Sequence, residues 1–289
     1  MGGHYVAHAT IKRLHMEKEV GKDKIRVGVV CICLNTNYWQ FANEMLWGLD
    51  TFFLKHHSIR DKYQTDIMLW SDMPIESFKG KVFPTEPTEW PMPTLLRYNL
   101  FLQQEEELRK YDYIFYIDVD MRITDWIDEE ILGDGLTAAQ HPMYQLKRNL
   151  IPPYEPNPKS MAYIPRPGRT VEEEGKKRFE PLYYAGGFQG GRTEDFIKAM
   201  KVMRKNIEDD FNNNYIAIWN DESHWNKYLF DNPPVVVLNP SYIYPDSLIA
   251  DYYVKQIWGR NYSPKIMTLT KSFTTSKEGG EAVRKMLAF

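Results

Sequence analysis

Some hydrophobic residues of the chain form short apolar runs. Between these runs lie more polar segments, in which the remaining hydrophobic residues follow helical spacing. The first run is residues 25–34, Ile-Arg-Val-Gly-Val-Val-Cys-Ile-Cys-Leu, which is typical of a strand buried on both faces. Alternating strands and helices after it indicate an α/β fold with a mostly parallel sheet. The elements predicted next are a helix at 38–56, strands at 65–70 and 81–83, a helix at 94–110 and a strand ending at Asp118.

The second half of the chain has a different pattern. Residues 146–182 are crowded with prolines, which fix φ and remove hydrogen-bond donors, so we expect neither a regular ladder nor a long helix there. A loop of this length is usually functional or disordered. Further predictions are a strand at 136–140, a helix capped by Thr193 with Phe196, Met200, Met203 and Ile207 on its core face, a helix at 222–230 and a strand at 235–238.

Composition narrows the class of protein. The chain has 289 residues, enough for one large domain or two small ones, and its net charge of −3 provides no basic field for nucleic acid. No stretch approaches the ~18 apolar residues of a membrane span, and the N-terminus has no apolar signal core. We therefore expect a soluble, cytoplasmic protein. Cys31 and Cys33 are two positions apart in one predicted strand, so their side chains share one face. Their Cα atoms would lie ~6.5–7 Å apart, which disfavours a disulfide, so we expect two reduced thiols.

The strand at 113–117 leads directly into two carboxylates, Asp118 and Asp120. Ligands of open α/β folds usually bind at such strand ends. Two carboxylates at this spacing can share one hard divalent cation, which can in turn hold a diphosphate. The pattern points to a nucleotide-sugar enzyme, although Asp-x-Asp also occurs by chance in many proteins.

Three other motifs each allow two interpretations. The glycine-rich segment 183–191 either lets the backbone approach a ligand or forms a bend at a strand corner, and it matches neither a Rossmann fingerprint nor a P-loop. Segment 219–225 places two indoles beside two carboxylates, which suits a sugar, but it also reads as a helix start with Asp221 or Ser223 as cap and His224 as a structural residue. His141, before a proline, is either a ligand contact or structural.

Together these motifs resemble glycosyltransferase family 6, which includes the histo-blood-group A and B transferases and α1,3-galactosyltransferase. The resemblance extends over about residues 25–289. It rests on the run at 26–30, the spacing of Trp90 and Arg97, the segments 154–155 and 160–165, the signature Asp221-Glu222-Ser223-His224 with 226–228, and Pro240-Ser241-Tyr242.

The resemblance implies a GT-A glycosyltransferase fold, with a single Rossmann-like, mostly parallel sheet flanked by helices and a mobile C-terminal tail. It divides the chain into an N-terminal arm at 1–23 and a catalytic domain at 24–289. Within that domain the UDP-sugar-binding part is about 24–120, the acceptor-binding and catalytic part about 121–270, and the C-terminal lid about 271–289. The animal members are membrane-anchored, so a chain without an anchor points to a soluble bacterial or viral-type form.

The resemblance also implies a reaction. Such enzymes transfer galactose or N-acetylgalactosamine from UDP-galactose or UDP-N-acetylgalactosamine to the 3-hydroxyl of a galactoside glycan, with retention of the α configuration. Asp118 and Asp120 match the motif that holds Mn²⁺, with Mg²⁺ as the alternative, against the diphosphate. Glu222 matches the catalytic glutamate, acting either as nucleophile or as a stabiliser of an oxocarbenium-like centre that also holds the acceptor.

Substrate contacts follow from the same comparison. Gly187 ends the triplet that governs donor choice and leaves space for an acetamido group, which favours UDP-N-acetylgalactosamine, although both donors can be used. Lys277 and Arg284 are expected to close over UDP, with Lys271 as a competing candidate. The donor contacts expected are Ile32, Cys33 and Leu34 around uracil, Tyr38 stacking on it, and Arg97, Asp118, Val119, Ala185, Gly186, Gly187 and Asp221; the acceptor contacts are His141, Trp219 and Glu222.

Two alternatives stay open at this point. One is an enzyme of the same architecture that uses UDP-glucose or UDP-N-acetylglucosamine. The other is a lectin-like, catalytically silent sugar-binding module, against which the intact Asp118, Asp120 and Glu222 argue.

Overall fold

The computed structural model describes residues 24–73, 78–146, 152–165, 169–173, 176–180, 182–248 and 263–271. The helices are α1 (Thr36–Phe52), α2 (Met92–Leu95), α3 (Arg97–Leu102), α4 (Glu105–Leu108), α5 (Pro142–Leu146), α6 (Thr193–Asn212) and α7 (Asn220–Asp231). The strands are β1 (Ile25–Cys33), β2 (Tyr63–Ser71), β3 (Lys81–Pro84), β4 (Tyr113–Ile117), β5 (Met121–Ile123), β6 (Leu136–Gln140), β7 (Arg169–Glu173), β8 (Lys176–Glu180), β9 (Tyr184–Arg192), β10 (Val236–Leu238), β11 (Tyr244–Pro245) and β12 (Ile266–Thr268).

Seven strands form the main sheet in the order β10-β6-β9-β4-β1-β2-β3. β1 is parallel to both β2 and β4, and β9 runs antiparallel between β4 and β6. The carboxyl ends of β1 and β4 therefore meet at one edge of the sheet. The predicted α/β fold with a mostly parallel sheet is confirmed.

The run in β1 is nearly continuous because helices cover both faces of the sheet. Val29 and Cys31 pack with α1 on one face, whereas Val30 packs with α3, α6 and α7 on the other. Cys31 and Cys33 are both buried, free thiols on the α1 side, as predicted. Burial raises the pKa of the Cys33 thiol to about 12, so these thiols are core residues.

The single helix predicted at 94–110 is wrong, because three short helices occupy the segment. The residues that face the core explain the break: Leu95, Tyr98 and Leu102 follow helical spacing, but Leu108 comes six residues later, out of phase with a period of 3.6. The chain leaves helical geometry at Gln104 (φ −112°, ψ 29°) and turns Leu108 back into the core.

One further prediction was wrong. The expected absence of a regular ladder at 146–182 fails at the antiparallel hairpin of β7 and β8, which occupies the proline-free part of that segment. Of the two interpretations left open for the glycine-rich stretch, the bend at a strand corner is excluded, because the stretch forms strand β9. A Cβ at Gly190 would collide with the Ile114 carbonyl, and Gly191 has a φ of 133°, so glycine permits the close pairing of β9 with its neighbours.

Helix starts also differ in detail from the prediction. α1 begins at Thr36, where the Asn35 side chain accepts a hydrogen bond from the Asn37 N–H at 2.9 Å. Thr193 is the first residue of α6 and not its cap, because the N-cap position belongs to Arg192, whose side chain makes no capping hydrogen bond. Phe196 and the other predicted core residues of α6 are buried. Among the residues described, no helix has both the length and the apolar character needed to cross a membrane.

The predicted arm at 1–23 and the lid residues Lys277 and Arg284 lie outside the described residues.

Candidate functional site

Asp118 and Asp120 lie where β4 ends, on the turn that leads into β5. The Asp118 N–H donates to the Gly187 carbonyl at 3.0 Å, which ties this turn to β9. The Tyr116 hydroxyl donates to the Asp118 carboxylate. Asp120 is buried, and burial followed by the Asp118 charge raises its pKa. Two carboxylates thus stand at the carboxyl edge of the sheet, where parallel α/β folds bind ligands.

Arg97 lies behind this turn and connects it to α7. Its buried guanidinium lies 2.9 Å from Asp221 Oδ2 and 3.6 Å from Asp118 Oδ1, and it donates to the Gly186 carbonyl at 3.3 Å. The same group lies 4.2 Å from the centroid of the Tyr116 ring. Burial raises the pKa of Asp221 to about 6, with the Arg97 charge acting against it. The Arg97 guanidinium therefore contacts the carboxylates of both Asp118 and Asp221 and fixes the distance between them.

Glu222 is held by hydrogen bonds to both of its oxygens. Oε2 accepts from the Gly186 N–H at 2.7 Å, and Oε1 accepts from the Tyr183 hydroxyl at 2.8 Å. Burial raises the pKa of Glu222 to about 7, and the two donors oppose that rise. Near neutral pH the group is therefore divided between its two protonation states, as expected of a carboxyl tuned for chemistry.

Asn226 holds the start of α7, which carries Glu222, against β9. Its Oδ1 accepts from the Tyr184 N–H at 2.8 Å, and its Nδ2 donates to the Tyr184 carbonyl at 2.8 Å and to the Glu222 carbonyl at 2.9 Å. A side-chain amide can replace a strand partner in this way because it carries both a donor and an acceptor. The amide locks the first turns of α7 onto β9.

Gly187 is packed directly against the Asp-x-Asp turn. A Cβ at this position would lie 2.7 Å from Asp118 Oδ2 and would also collide with the Met121 side chain. The glycine is therefore required by the approach of β9 to Asp118. The expected role of Gly187 in donor choice stays a prediction.

His141 packs against Tyr183, and the Trp219 carbonyl accepts from the Glu222 backbone N–H at 3.0 Å. The His141 N–H donates to the Tyr183 carbonyl at 2.9 Å, and its ring lies 5.7 Å from the Tyr183 ring. Burial lowers the pKa of His141 to about 4, so the imidazole is neutral at pH 7. The Trp219 side chain is half-exposed, with its backbone N–H donating to Ser223 Oγ at 3.1 Å. A neutral imidazole and an exposed indole suit contact with an uncharged sugar.

A buried carboxylate, Glu155, fastens the proline-rich segment next to Trp219. Its Oε2 accepts from the Ile218 N–H at 2.7 Å, and its Oε1 accepts from the Tyr215 hydroxyl at 2.6 Å. The preceding residue, Tyr154, places its ring 5.4 Å from the Tyr183 ring. This segment therefore contacts both the support of Glu222 and the backbone that carries the exposed indole.

The remaining predicted donor contacts are placed less directly. Ile32, Cys33 and Leu34 are buried as whole residues at the end of β1. Val119 is also buried, and Ala185 is buried in β9 next to Gly186. Tyr38 lies in the first turn of α1, where its hydroxyl is 3.4 Å from Lys271 Nζ. The ligand roles of all these residues stay predictions.

Sequence reasoning missed the residues that support the carboxylates. Tyr116 follows the period of two that places it on the same side of β4 as Asp118, so the signal was present. Tyr183 is adjacent to the glycine-rich strand, but nothing in the sequence indicates that its hydroxyl reaches Glu222. Gln189 is a third case, donating to the Gly186 carbonyl at 2.9 Å and accepting from the Tyr98 hydroxyl at 2.9 Å.

The donor set at the turn fits a hard divalent cation. Across the described ranges, no group of three or more His, Cys, Asp or Glu side chains is arranged for a metal. The two aspartates alone would supply oxygen ligands, which is the chemistry that Mn²⁺ and Mg²⁺ accept when substrate phosphates and water complete the shell.

A mostly parallel sheet flanked by helices, with an Asp-x-Asp turn at the end of a central strand, is the architecture of the GT-A class of glycosyltransferases. The chain belongs to glycosyltransferase family 6, whose sequence profile matches residues 5–263.

Three relatives illustrate the range of the family. The rat histo-blood group ABO system transferase 1 is 35% identical over 165 residues, which cover 56% of this chain and 44% of the relative. The chicken globoside alpha-1,3-N-acetylgalactosaminyltransferase 1 is 27% identical over 235 residues, or 77% of this chain and 62% of the relative. The Escherichia coli O-antigen biosynthesis glycosyltransferase WbnI is 26% identical over 192 residues, 66% of this chain and 73% of the relative. The chain spans about half the length of the ABO-type relatives it matches.

Proposed function

We propose that this protein is a UDP-sugar-dependent retaining hexosyltransferase that transfers galactose or N-acetylgalactosamine in α1,3 linkage to a galactoside, with Mn²⁺ or, alternatively, Mg²⁺. The observation that carries the proposal is Glu222, held at both oxygens beside the buried pair of Arg97 and Asp221. Glu222 is bonded to Gly186 of β9, and the next residue, Gly187, accepts from the Asp118 N–H. A carboxylate oriented in this way, close to two metal-type aspartates, suits a retaining sugar transfer.

The residues divide into three tasks. Asp118 and Asp120 would hold the cation, which when bound supplies positive charge against the leaving diphosphate. Arg97 holds Asp221 ionised and in place, so that Asp221 can accept hydrogen bonds from donor-sugar hydroxyls. Trp219 offers an exposed indole face to the acceptor, since sugars stack their apolar faces on aromatic rings.

Glu222 fits either of the two mechanisms that give retention. In a double displacement its carboxylate would attack the anomeric carbon while the diphosphate leaves, and the acceptor hydroxyl would then displace it. In a front-side reaction the same charge would stabilise an oxocarbenium-like centre and hold the acceptor. Both need the anionic form, which Tyr183 and the Gly186 N–H favour by donating to it.

The preference for UDP-N-acetylgalactosamine over UDP-galactose is part of the proposal. The chicken relative is named as an N-acetylgalactosaminyltransferase. An added group in a pocket changes discrimination by only ~1–3 kcal/mol, so both donors are expected to react. A panel of UDP-galactose, UDP-N-acetylgalactosamine, UDP-glucose and UDP-N-acetylglucosamine on the wild-type chain separates this assignment from the alternative donors.

The metal assignment is tested by replacing Asp118 and Asp120 together with asparagine. Asparagine keeps the shape of each side chain and removes its charge, so Mn²⁺-stimulated UDP release from the donor should be lost. A double variant that keeps full stimulation would show the assignment to be wrong. Acceptor binding without UDP release in the wild type would instead favour a silent sugar-binding module.

A further inference from the structure

The C-terminal strand places a lysine on the Asp-x-Asp turn. β12 pairs antiparallel with β5, and the Leu269 N–H donates to the Asp120 carbonyl at 3.0 Å. The Thr270 N–H and hydroxyl donate to the Asp246 carboxylate at 2.9 and 2.5 Å. The backbone that leads to Lys271 is therefore fixed by contacts other than those of its own ammonium group.

The ammonium of Lys271 lies on one of the two aspartates. Its Nζ is 2.6 Å from Asp120 Oδ2 and 3.4 Å from the Tyr38 hydroxyl, and it lies 5.2 Å from the centroid of the Tyr38 ring. The Asp120 side chain is only 12% exposed, whereas Lys271 is 34% exposed. A cationic group supplied by the chain itself thus occupies an oxygen of the motif proposed to bind a divalent cation.

We propose that Lys271 competes with the divalent cation for Asp120 and so weakens the affinity of the site for the metal. The inference rests on the proposed function, because it takes Asp118 and Asp120 as the metal ligands. A divalent ion on Asp120 would stand within a few ångströms of the ammonium, where like charges repel strongly even at the effective dielectric of a protein surface. Binding of the ion therefore requires the ammonium to leave Oδ2.

Competition of this kind couples the C-terminal segment to the site. A ligand shifts an equilibrium only by its differential affinity for the two states, and here the states differ in whether Lys271 lies on Asp120. The cation favours the state in which Lys271 is released. By reciprocity, the contact of Lys271 with Asp120 weakens cation binding by the same factor by which the bound cation weakens that contact. Removing the ammonium therefore raises the affinity for the cation.

The chain offers a matched control close to Lys271 in sequence. Lys265 precedes β12 and pairs with Glu130, away from the Asp-x-Asp turn. Lys265→Met changes the net charge by the same amount as Lys271→Met. Circular dichroism checks that each variant remains folded, so that a change in Mn²⁺ affinity does not reflect a loss of folded protein.

The test is a titration of the full chain with Mn²⁺, read from the paramagnetic resonance signal of the free ion and without any enzyme assay. Lys271→Met is expected to bind Mn²⁺ at least about tenfold more tightly than the wild type, or about 1.4 kcal/mol. Lys265→Met should bind as the wild type does. Lys271→Arg keeps the cation and should also retain wild-type affinity, and Lys271→Gln serves as a second neutral variant.

The outcomes separate the inference from the proposed function. Equal or weaker Mn²⁺ binding by both Lys271→Met and Lys271→Gln overturns the competition while leaving the metal site intact. If no variant binds Mn²⁺ in the millimolar range, with or without UDP, the assignment of Asp118 and Asp120 as metal ligands fails and the inference fails with it.

Discussion

Removing the Tyr183 hydroxyl should shift the pH dependence of the reaction without removing any group that touches the sugar donor in the proposal. The hydroxyl donates to Glu222 Oε1 at 2.8 Å and so stabilises the anionic form of that carboxyl. Tyr183→Phe keeps the ring and its packing against His141, Tyr144 and Tyr154. The substitution therefore isolates one hydrogen bond.

The size of the shift follows from the strength of that bond. A hydrogen bond to a charged group contributes ~1.5–3 kcal/mol, and one pKa unit corresponds to 1.36 kcal/mol, so the loss should raise the pKa of Glu222 by ~1–2 units. The starting value is about 7. Because the anion is the active form, activity falls as the pH falls through the pKa, and a raised pKa moves this acid limb to higher pH.

The assay is kcat/KM for UDP release across pH 6 to 9.5 with saturating Mn²⁺. At pH 7 the ionised fraction should fall from about one half to ~1–10%, which predicts a loss of ~5–50-fold, whereas at pH 9.5 the variant should recover to within ~2-fold of the wild type. Tyr144→Phe is the matched control, because its ring lies 5.2 Å from that of Tyr183 in the same cluster.

An acid limb at the same pH in Tyr183→Phe and in the wild type would refute this reasoning. An equal shift in Tyr144→Phe would show that the effect comes from the aromatic cluster and not from the hydrogen bond.

Three further substitutions test the supports of the site. Arg97→Lys should lower kcat/KM by at least ~100-fold and the free energy of unfolding by ~1–3 kcal/mol, because an ammonium keeps the positive charge but cannot contact Asp221, Asp118 and the Gly186 carbonyl together. Enzyme kinetics and urea unfolding measure the two effects. Gly187→Ala should lower activity with every UDP-sugar, since its Cβ would lie 2.7 Å from Asp118 Oδ2; an unimpaired variant with only its donor ratio changed would contradict this. Glu155→Gln should raise KM for the galactoside by ~3–10-fold, because Glu155 holds the backbone at Ile218, next to Trp219. The free energy of unfolding should fall by ~1–3 kcal/mol, and KM for the donor should stay within twofold. Equal changes in both KM values would show a purely structural role.

Much of the fold was readable from local pattern. The run in β1 predicted a strand covered on both faces, and the core residues of α6 follow helical spacing without exception. The helix break at Gln104 was missed because the sequence does not show which face of the segment packs on the sheet. Without that face, the departure of Leu108 from the helical period of the core residues is not apparent. The glycines of β9 allowed two interpretations, and close pairing with strands distant in sequence was neither of them, because such pairing has no local signal.

The same distinction between local sequence patterns and contacts of distant residues applies to the candidate site. The Asp-x-Asp turn and the acidic start of α7 are local motifs, and the sequence pointed to both. The contact between Arg97 and Asp221 joins residues more than a hundred positions apart, and the bond from Tyr183 to Glu222 depends on how Asn226 docks α7 onto β9. Such pairs depend on tertiary packing, which one sequence does not reveal.

The central claim is that Glu222 is the carboxylate on which sugar transfer depends. The most direct test is UDP release and product analysis with UDP-N-acetylgalactosamine and UDP-galactose, a galactoside acceptor and Mn²⁺, comparing the wild type with Glu222→Gln. The account predicts an α1,3-linked product from the wild type and a loss of at least ~10³-fold in kcat for the variant, with donor binding retained. Transfer by Glu222→Gln at a rate close to that of the wild type, or a β-linked product from the wild type, would contradict it.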